Sequence, residues 1–288
     1  MTSPTVDVHE LVAWRLDDYP PRASAIGVEQ NEIERKIQQA KQQLGKRDSF
    51  TSTPALLMEE TQQIRELLDA SMQRADLHRE FRELNWALGV VDLRLLLAFQ
   101  RRLVFDPTRF TPQIPKQEDW PELVSLSMNP PRSIAHCLSH QEKAGVMDVR
   151  ISSRNPDLQL RLNQSAEDSD SFLFSLYGGS PFIEVAEFRS RWFLRDGYHR
   201  AYRLLQKGVC CIPAVILRAR TIEELGATSP WFFSEEELFS ERPPRVIDFL
   251  DEALVLRYKR VPFRKAIRIR IEEMMEPIVE TQVQGEKI

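Results

Sequence analysis

The sequence predicts an α+β fold: a mixed sheet carrying a strand-turn-helix-strand unit, with an N-terminal helical pair and a C-terminal β-hairpin. Three observations carry that reading. In Arg191 to Leu217, RWFLRDGYHRAYRLLQKGVCCIPAVIL, a short aromatic run gives way to a helical pattern and then to a continuous apolar run. Upstream, two stretches repeat apolar residues at helical spacing. Downstream, two stretches alternate apolar and charged residues at the spacing of strands. The chain divides accordingly into an N-terminal helical region over 1–88, a central domain over 89–220, and a C-terminal helix and hairpin extension over 221–288.

Residues 1–27 hold Pro20-Pro21 and little periodicity, so an extended or partly disordered lead-in is expected. From Val28 to Leu44, the residues Ile33, Ile37, Ala40 and Leu44 share one helical face, glutamates come early, lysines late, and Gly45 stops the helix. Thr53-Pro54 offers a cap and a first-turn proline for a second helix, whose stripe of Leu57, Ile64, Leu68 and Ala75 runs toward Trp86. Two such stripes predict an antiparallel pair packed on the core or on a protein partner.

Gly89 marks the next boundary. Asp92 is placed to cap a short helix through Phe99, Arg101 to Phe105 reads as a strand, and the prolines from Pro107 to Pro131 read as a long surface connection. Ser133 opens a helix ending near Gly145, with Ile134 and Leu138 inward. Met147 to Phe188 is β-rich: Val149 and Ile151, a turn at Asn155-Pro156-Asp157, the alternation of Leu158, Leu160 and Leu162, then Phe172 to Tyr177, the turn Gly178-Gly179-Ser180-Pro181, and Phe182 to Phe188.

In the central unit, Trp192, Phe193 and Leu194 suit a half-buried strand and Asp196-Gly197 breaks it. A helix then runs from Tyr198 until Gly208 stops it, and Val209 to Leu217 is a buried strand. Pro213 cannot donate to a ladder, which places its strand at an edge or a bulge. If the two strands are parallel, their connection is a βαβ-like crossover. Beyond Arg220, Trp231, Phe232 and Phe233 read as an anchor onto the body, and Glu235 to Glu237 as the start of a helix. Leu254, Leu256 and Tyr258 alternate with Val255, Arg257 and Lys259, Ile267, Ile269 and Ile271 alternate with Arg268 and Arg270, and the two runs read as a hairpin joined around Pro262.

The whole chain bounds the function classes. Its 288 residues are 42% hydrophobic and 28% charged, ordinary for a folded protein with a sizeable core. A net charge of −4 and a pI near 5.9 remove the strong electrostatic case for a free-standing DNA binder. The three cysteines, Cys137, Cys210 and Cys211, form neither a disulfide framework nor a zinc spacing. The start MTSPTVDVHE lacks a basic segment followed by an apolar run, and no stretch approaches the ~18 apolar residues of a membrane span, so a cytoplasmic location with no membrane partner is expected.

Chemistry concentrates at the start of the predicted helix. His199 and Arg200 place cations where the helix dipole is already positive and backbone N–H groups lack partners. Something negative belongs there, either an internal carboxylate or a bound anion such as phosphate, and Gly197 lets a ligand approach the backbone closely. The structural alternative is a salt bridge from Arg200 to Glu184, Glu187 or Asp196. Tyr198 and Tyr202, four apart, are spaced to stack on a base or simply to pack. His136 and His140 have a helical spacing compatible with a metal, without further ligands nearby, and Cys210-Cys211 sits in an apolar run that favours packing over redox chemistry. Arg257, Lys259, Arg268 and Arg270 give the hairpin a basic face, suited to tracking phosphates or to guarding a sheet edge.

At Asp196, Gly197, His199, Arg200, Gly208, Ile212 and Pro213 the chain resembles the ParB/sulfiredoxin-like superfamily, whose members carry a Gly-x-x-Arg or Gly-Cys-His-Arg box at a helix start, followed by a glycine and an Ile-Pro strand. The resemblance implies a nucleotide- or phosphate-binding site made of Asp196, Gly197, Tyr198, His199 and Arg200. Its ligand class would be a nucleoside triphosphate, accompanied by Mg²⁺ for which Glu184 and Glu187 are available carboxylates, with NTP hydrolysis or phosphoryl transfer left open. Tyr198 stands where sulfiredoxin has its catalytic cysteine, which argues against sulfinic-acid reduction, and Arg203 stands where alanine is usual. No nucleophile-base pair can be named from the sequence. The other functions in view are a DNA-associated regulator of the ParB kind, for which no helix-turn-helix follows the box, and a non-catalytic scaffold that docks partners through its N-terminal helices.

Overall fold

The computed structural model describes residues 5–14, 29–56, 61–108, 112–129, 134–143, 145–155, 158–164 and 172–275. It is a mixed α+β structure in two compact units, Met1–Arg132 with Ser180–Pro262, and Ser133–Gly179 with Phe263–Ile288. Numbered along the chain, the first unit holds strands β1 (Val6–Leu11), β2 (Trp86–Asp92), β3 (Leu97–Ala98), β4 (Arg102–Phe105), β9 (Glu184–Phe188), β10 (Arg191–Asp196), β11 (Cys211–Arg218) and β12 (Val255–Arg260). Its helices are α1 (Gln30–Gly45), α2 (Gln62–Met72), α3 (Ala75–Glu80), α4 (Trp120–Ser127), α5 (Tyr198–Gln206), α6 (Ile222–Leu225) and α7 (Glu235–Leu238).

The main sheet has the order β2-β11-β9-β10-β3. As predicted, Arg191 to Leu217 forms strand, turn, helix and strand in one sheet, but β9 lies between β10 and β11. Because β9 pairs parallel to β11 and antiparallel to β10, those two strands run opposite ways and the connection is not a parallel crossover. Strand β11 is buried along six consecutive positions, Ile212 to Leu217, as its apolar run requires. Pro213 is therefore inside the sheet rather than at its edge. It is tolerated because Val215 donates to Ile183 O (2.9 Å), so odd-numbered residues of β11 face β9, and that pairing begins only at Val215. The N–H that Pro213 lacks would point past the end of β9.

Helix α5 begins at Gly197 (φ +91°) and buries Tyr198, Ala201, Tyr202, Leu204 and Leu205. It ends in a Schellman motif: Val209 N donates to Leu204 O and Gly208 N to Leu205 O (both 3.0 Å), with Gly208 at φ +75°.

Other expectations are corrected. Within the first 27 residues, Val6–Leu11 is the central strand of an antiparallel sheet of order β12-β1-β4. Its signal is hidden because Glu10 occupies a core position. The Glu10 carboxylate is fully buried, accepting from Arg102 Nη2 on β4 and Tyr258 Oη on β12 (both 2.7 Å), so one side chain ties three strands. Pro20-Pro21 lies outside the described residues.

Thr53-Pro54 does not start a helix. The segment is extended, Asp92 N donates to Ala55 O (2.9 Å), and the second helix begins at Gln62 and ends at Met72, with Leu57 outside the described residues. Nor do α1 and α2 form a pair: α1 packs on β12 and α2 on α4 and β2, contributing Ile33, Ala40, Ile64 and Leu68 to the core. Gly89 is not a boundary but lies in the middle of β2, opposite Ala214. Asp92 caps a single 3₁₀ turn, Leu93–Leu95, accepting from Arg94 N (2.9 Å). The proline-rich connection contains α4, which buries Leu123 and Leu126. Phe233 is the buried part of the aromatic anchor and Trp231 is exposed, while α7 starts as predicted, with a Ser234-Glu237 capping box.

The second unit contains β5 (Cys137–Lys143), β6 (Val146–Ser153), β7 (Gln159–Gln164), β8 (Phe172–Tyr177) and β13 (Lys265–Glu272). These form an antiparallel sheet of order β13-β6-β5 and a separate β7-β8 ladder. The helix expected to end near Gly145 is instead β5, which turns at Gly145 (φ +77°) and pairs along all seven residues with β6. Leu138, expected inward, is 62% exposed. The C-terminal hairpin does not form either. Strand β12 pairs with β1 and β13 with β6, because each alternating run finds a longer-range apolar partner than the other.

Candidate anion site at the start of helix α5

The main-chain bend at Gly197 is made by its surroundings. An added Cβ there would lie 2.9 Å from Ile183 Cγ1 and 3.3 Å from Arg200 Nη2, and φ is in the region that favours glycine. The same measurement places the Arg200 guanidinium folded back over the helix start. It is held there by main-chain carbonyls: Nη1 donates to Leu126 O (3.1 Å) and Pro181 O, and Nη2 to Phe182 O (2.6 Å). The Glu184 carboxylate is bound by another arginine: Arg195 Nη1 donates to Glu184 Oε2, and its Nε donates to Glu224 O (3.2 Å).

Asp196 supplies negative charge at the helix start. Its Oδ1 accepts from Gly197 N and its Oδ2 from Ser180 N (3.3 Å). Tyr198 is buried. Its hydroxyl accepts from Phe99 N (2.9 Å) and Gln100 N (3.4 Å), and burial pushes its ionisation above the ordinary tyrosine range. His199 is the exposed member of the box, and its Nε2–H donates to Val104 O (2.9 Å), which fixes that nitrogen as protonated. The fold thus brings all five predicted residues together, with Asp196, Tyr198 and Arg200 also holding neighbouring segments in place. Ser180 and the carbonyls of Leu126, Pro181 and Phe182 belong to the same cluster and carry no sequence signal, since main-chain groups look alike in every sequence.

Base stacking by the two tyrosines is not available in this arrangement. Tyr198 is 3% and Tyr202 4% exposed, and the Tyr202 ring packs on Phe105 and His9 at centroid distances of 5.2 and 5.4 Å. Glu184 and Glu187 do not fit a shared Mg²⁺: three apart on β9, they project to opposite faces, with Glu184 on Arg195 and Glu187 beside Arg218 (3.9 Å). Among the described residues no group of three or more His, Cys, Asp or Glu side chains is placed to hold a metal. His140 lies on a strand, so the helical spacing that suggested a metal with His136 is lost. Cys210 and Cys211 are free and half-buried, and burial pushes the Cys211 thiol up, away from the reactive thiolate.

The basic face assigned to the C-terminal hairpin is divided between two sheets, and each cation meets a carboxylate: Arg257 with Glu252, Lys259 with Asp7, Arg268 with Asp148 and Arg270 with Glu272. Among the described residues no helix is long and apolar enough to cross a membrane. Compared with models of known families, with curated proteins and with solved structures, the chain matches none.

Proposed function

We propose that this chain binds a nucleotide or another phosphate-bearing ligand at the start of α5, as the resemblance to the ParB/sulfiredoxin-like box implies. The observation that supports this reading is the Arg200 guanidinium lying over a left-handed glycine at the mouth of a nine-residue helix, with His199 exposed beside it. In this reading Arg200 is a fixed charge, preorganised by three carbonyls, and Tyr198 offers only its main-chain N–H. His199 offers a ring able to reach solvent.

A second reading is favoured by a different observation. Asp196 already places a carboxylate at the helix N-terminus, and Arg200 already anchors three carbonyls, so the box also suffices as an internal clasp of a non-catalytic scaffold.

Titration calorimetry with ATP, CTP and GTP, with and without Mg²⁺ and beside melting curves, separates the two. Phosphate binding predicts that Arg200→Ala loses about ten- to a hundred-fold in affinity, or about 1.5–3 kcal/mol. Because that change also strips donors from three carbonyls and lowers Tm, His199→Ala, which frees only the carbonyl of Val104 at an exposed position, is the cleaner variant: several-fold weaker binding with a smaller loss of Tm than Arg200→Ala. Wild-type protein that binds none of the three nucleotides in either condition overturns the phosphate reading and leaves the clasp.

A further inference from the structure

The two edges of the second unit's sheet are built differently. Strand β13 carries Lys265, Arg268 and Arg270, with Arg264 just before it, the kind of charge that keeps an edge from pairing. Strand β5 has all seven residues exposed and contains no proline, and among the described residues it has no strand neighbour on its outer side. Its register with β6 and β13 sets Leu138, His140 and Glu142 on the same face as Ile151, Val149 and Met147, and beyond them Ile267, Ile269 and Ile271. This apolar face stops abruptly at β5, where Leu138 is 62% exposed.

We propose that β5 is a homodimerisation edge, on which β5 of a second copy pairs antiparallel about a two-fold axis at Gln141 and extends the sheet from three strands to six. The polar side chains choose both the occupant and the register. A two-fold that keeps the apolar faces on one side requires some residue to meet its own copy, because side chains alternate between faces with period 2. Centring on Glu142 sets two carboxylates opposite each other, and centring on His140 sets two imidazoles opposite each other and Glu142 against Leu138. Centring on Gln141 sets His140 of each copy across from Glu142 of the other, Lys143 across from Ser139, and the two Gln141 amides together. An imidazole N–H directly across a ladder from a carboxylate is an attractive pair and two carboxylates are a repulsive one, so the strand is complementary to itself in this register.

The test is sedimentation equilibrium of the full chain from about 1 to 100 μM, a range that resolves micromolar dissociation constants. The wild type is expected to be a reversible dimer. Glu142→Lys, which removes the carboxylate facing His140 and puts an ammonium in its place, is expected to weaken dimerisation about tenfold or more, and adding His140→Glu is expected to restore it by setting a carboxylate across from that ammonium. Both side chains are exposed on an edge, so neither change removes a core contact. A wild-type chain that stays monomeric across the range, leaving the edge to some other strand, overturns the proposal. So does a dimer that is indifferent to Glu142→Lys, or one that the charge exchange fails to restore.

Discussion

Arg200 has a counterpart in Arg191, and the pair explains what arginine does in this fold. Arg191 donates to the carbonyls of Leu238, Ser240 and Phe239 at 2.8, 3.1 and 3.2 Å, with its guanidinium 4.8 Å from the Phe50 ring centroid. A planar cation with five donors can satisfy several carbonyls where the chain is irregular and has no ladder partner. Tyr198 does the converse, offering one oxygen to two main-chain N–H groups. Tyr198→Phe should therefore cost about 1–3 kcal/mol at neutral pH, read from urea unfolding, because it strands buried donors. The pH dependence has a definite sign. The folded protein holds Tyr198 and Tyr258 protonated, both mainly through burial, to higher pH than the unfolded chain does. Their contribution is complete below the unfolded tyrosine value of about 10 and is lost as pH rises beyond it. The stability gap between wild type and Tyr198→Phe should accordingly narrow above about pH 10.

At the scale of elements, two glycines bracket α5 and should respond differently. Gly197 has positive φ and a crowded Cβ position, whereas Gly208 has positive φ with nothing within 4 Å. Gly208→Ala should cost about 1 kcal/mol, the strain alone. Gly197→Ala adds a clash with Ile183 and displacement of Arg200, so a loss of about 2–3 kcal/mol is expected in chemical denaturation. Equal losses at the two positions would show that the contact with Ile183 is immaterial. These elements were legible because their determinants are local: DG, a helical stripe, KG and a β-branched run read the same in any context. Strand β5 was not legible. CLSHQEK has no apolar alternation of its own, and only its seven-residue pairing with β6 makes it a strand.

For the whole molecule, the N-terminus matters more than its composition indicates. Residues 1–27 read as an extended or partly disordered lead-in, but β1 is the central strand of its sheet and supplies Glu10 to Arg102 and Tyr258. Deleting residues 1–14 should abolish cooperative unfolding, measured by circular dichroism against temperature, since it leaves β4 and β12 without their shared neighbour and Arg102 and Tyr258 without Glu10. A truncated chain that melts as the full one does would show that β4 and β12 hold without it.

The sequence by itself determined the α+β class, the strand-turn-helix-strand order around Gly197 and the cations of the first turn, because spacing and turn chemistry act within a few residues. It also brought Asp196, Tyr198, His199 and Arg200 to one place, since they are adjacent. The tertiary structure decided which strands pair: β1 with β4 and β12, and β13 with β6. It also decided where Arg200 spends its donors, on carbonyls from 126, 181 and 182. Ladder pairing is degenerate among apolar strands, and a carbonyl is present at every residue. The choice among them is made by burial across long separations, which no local pattern records.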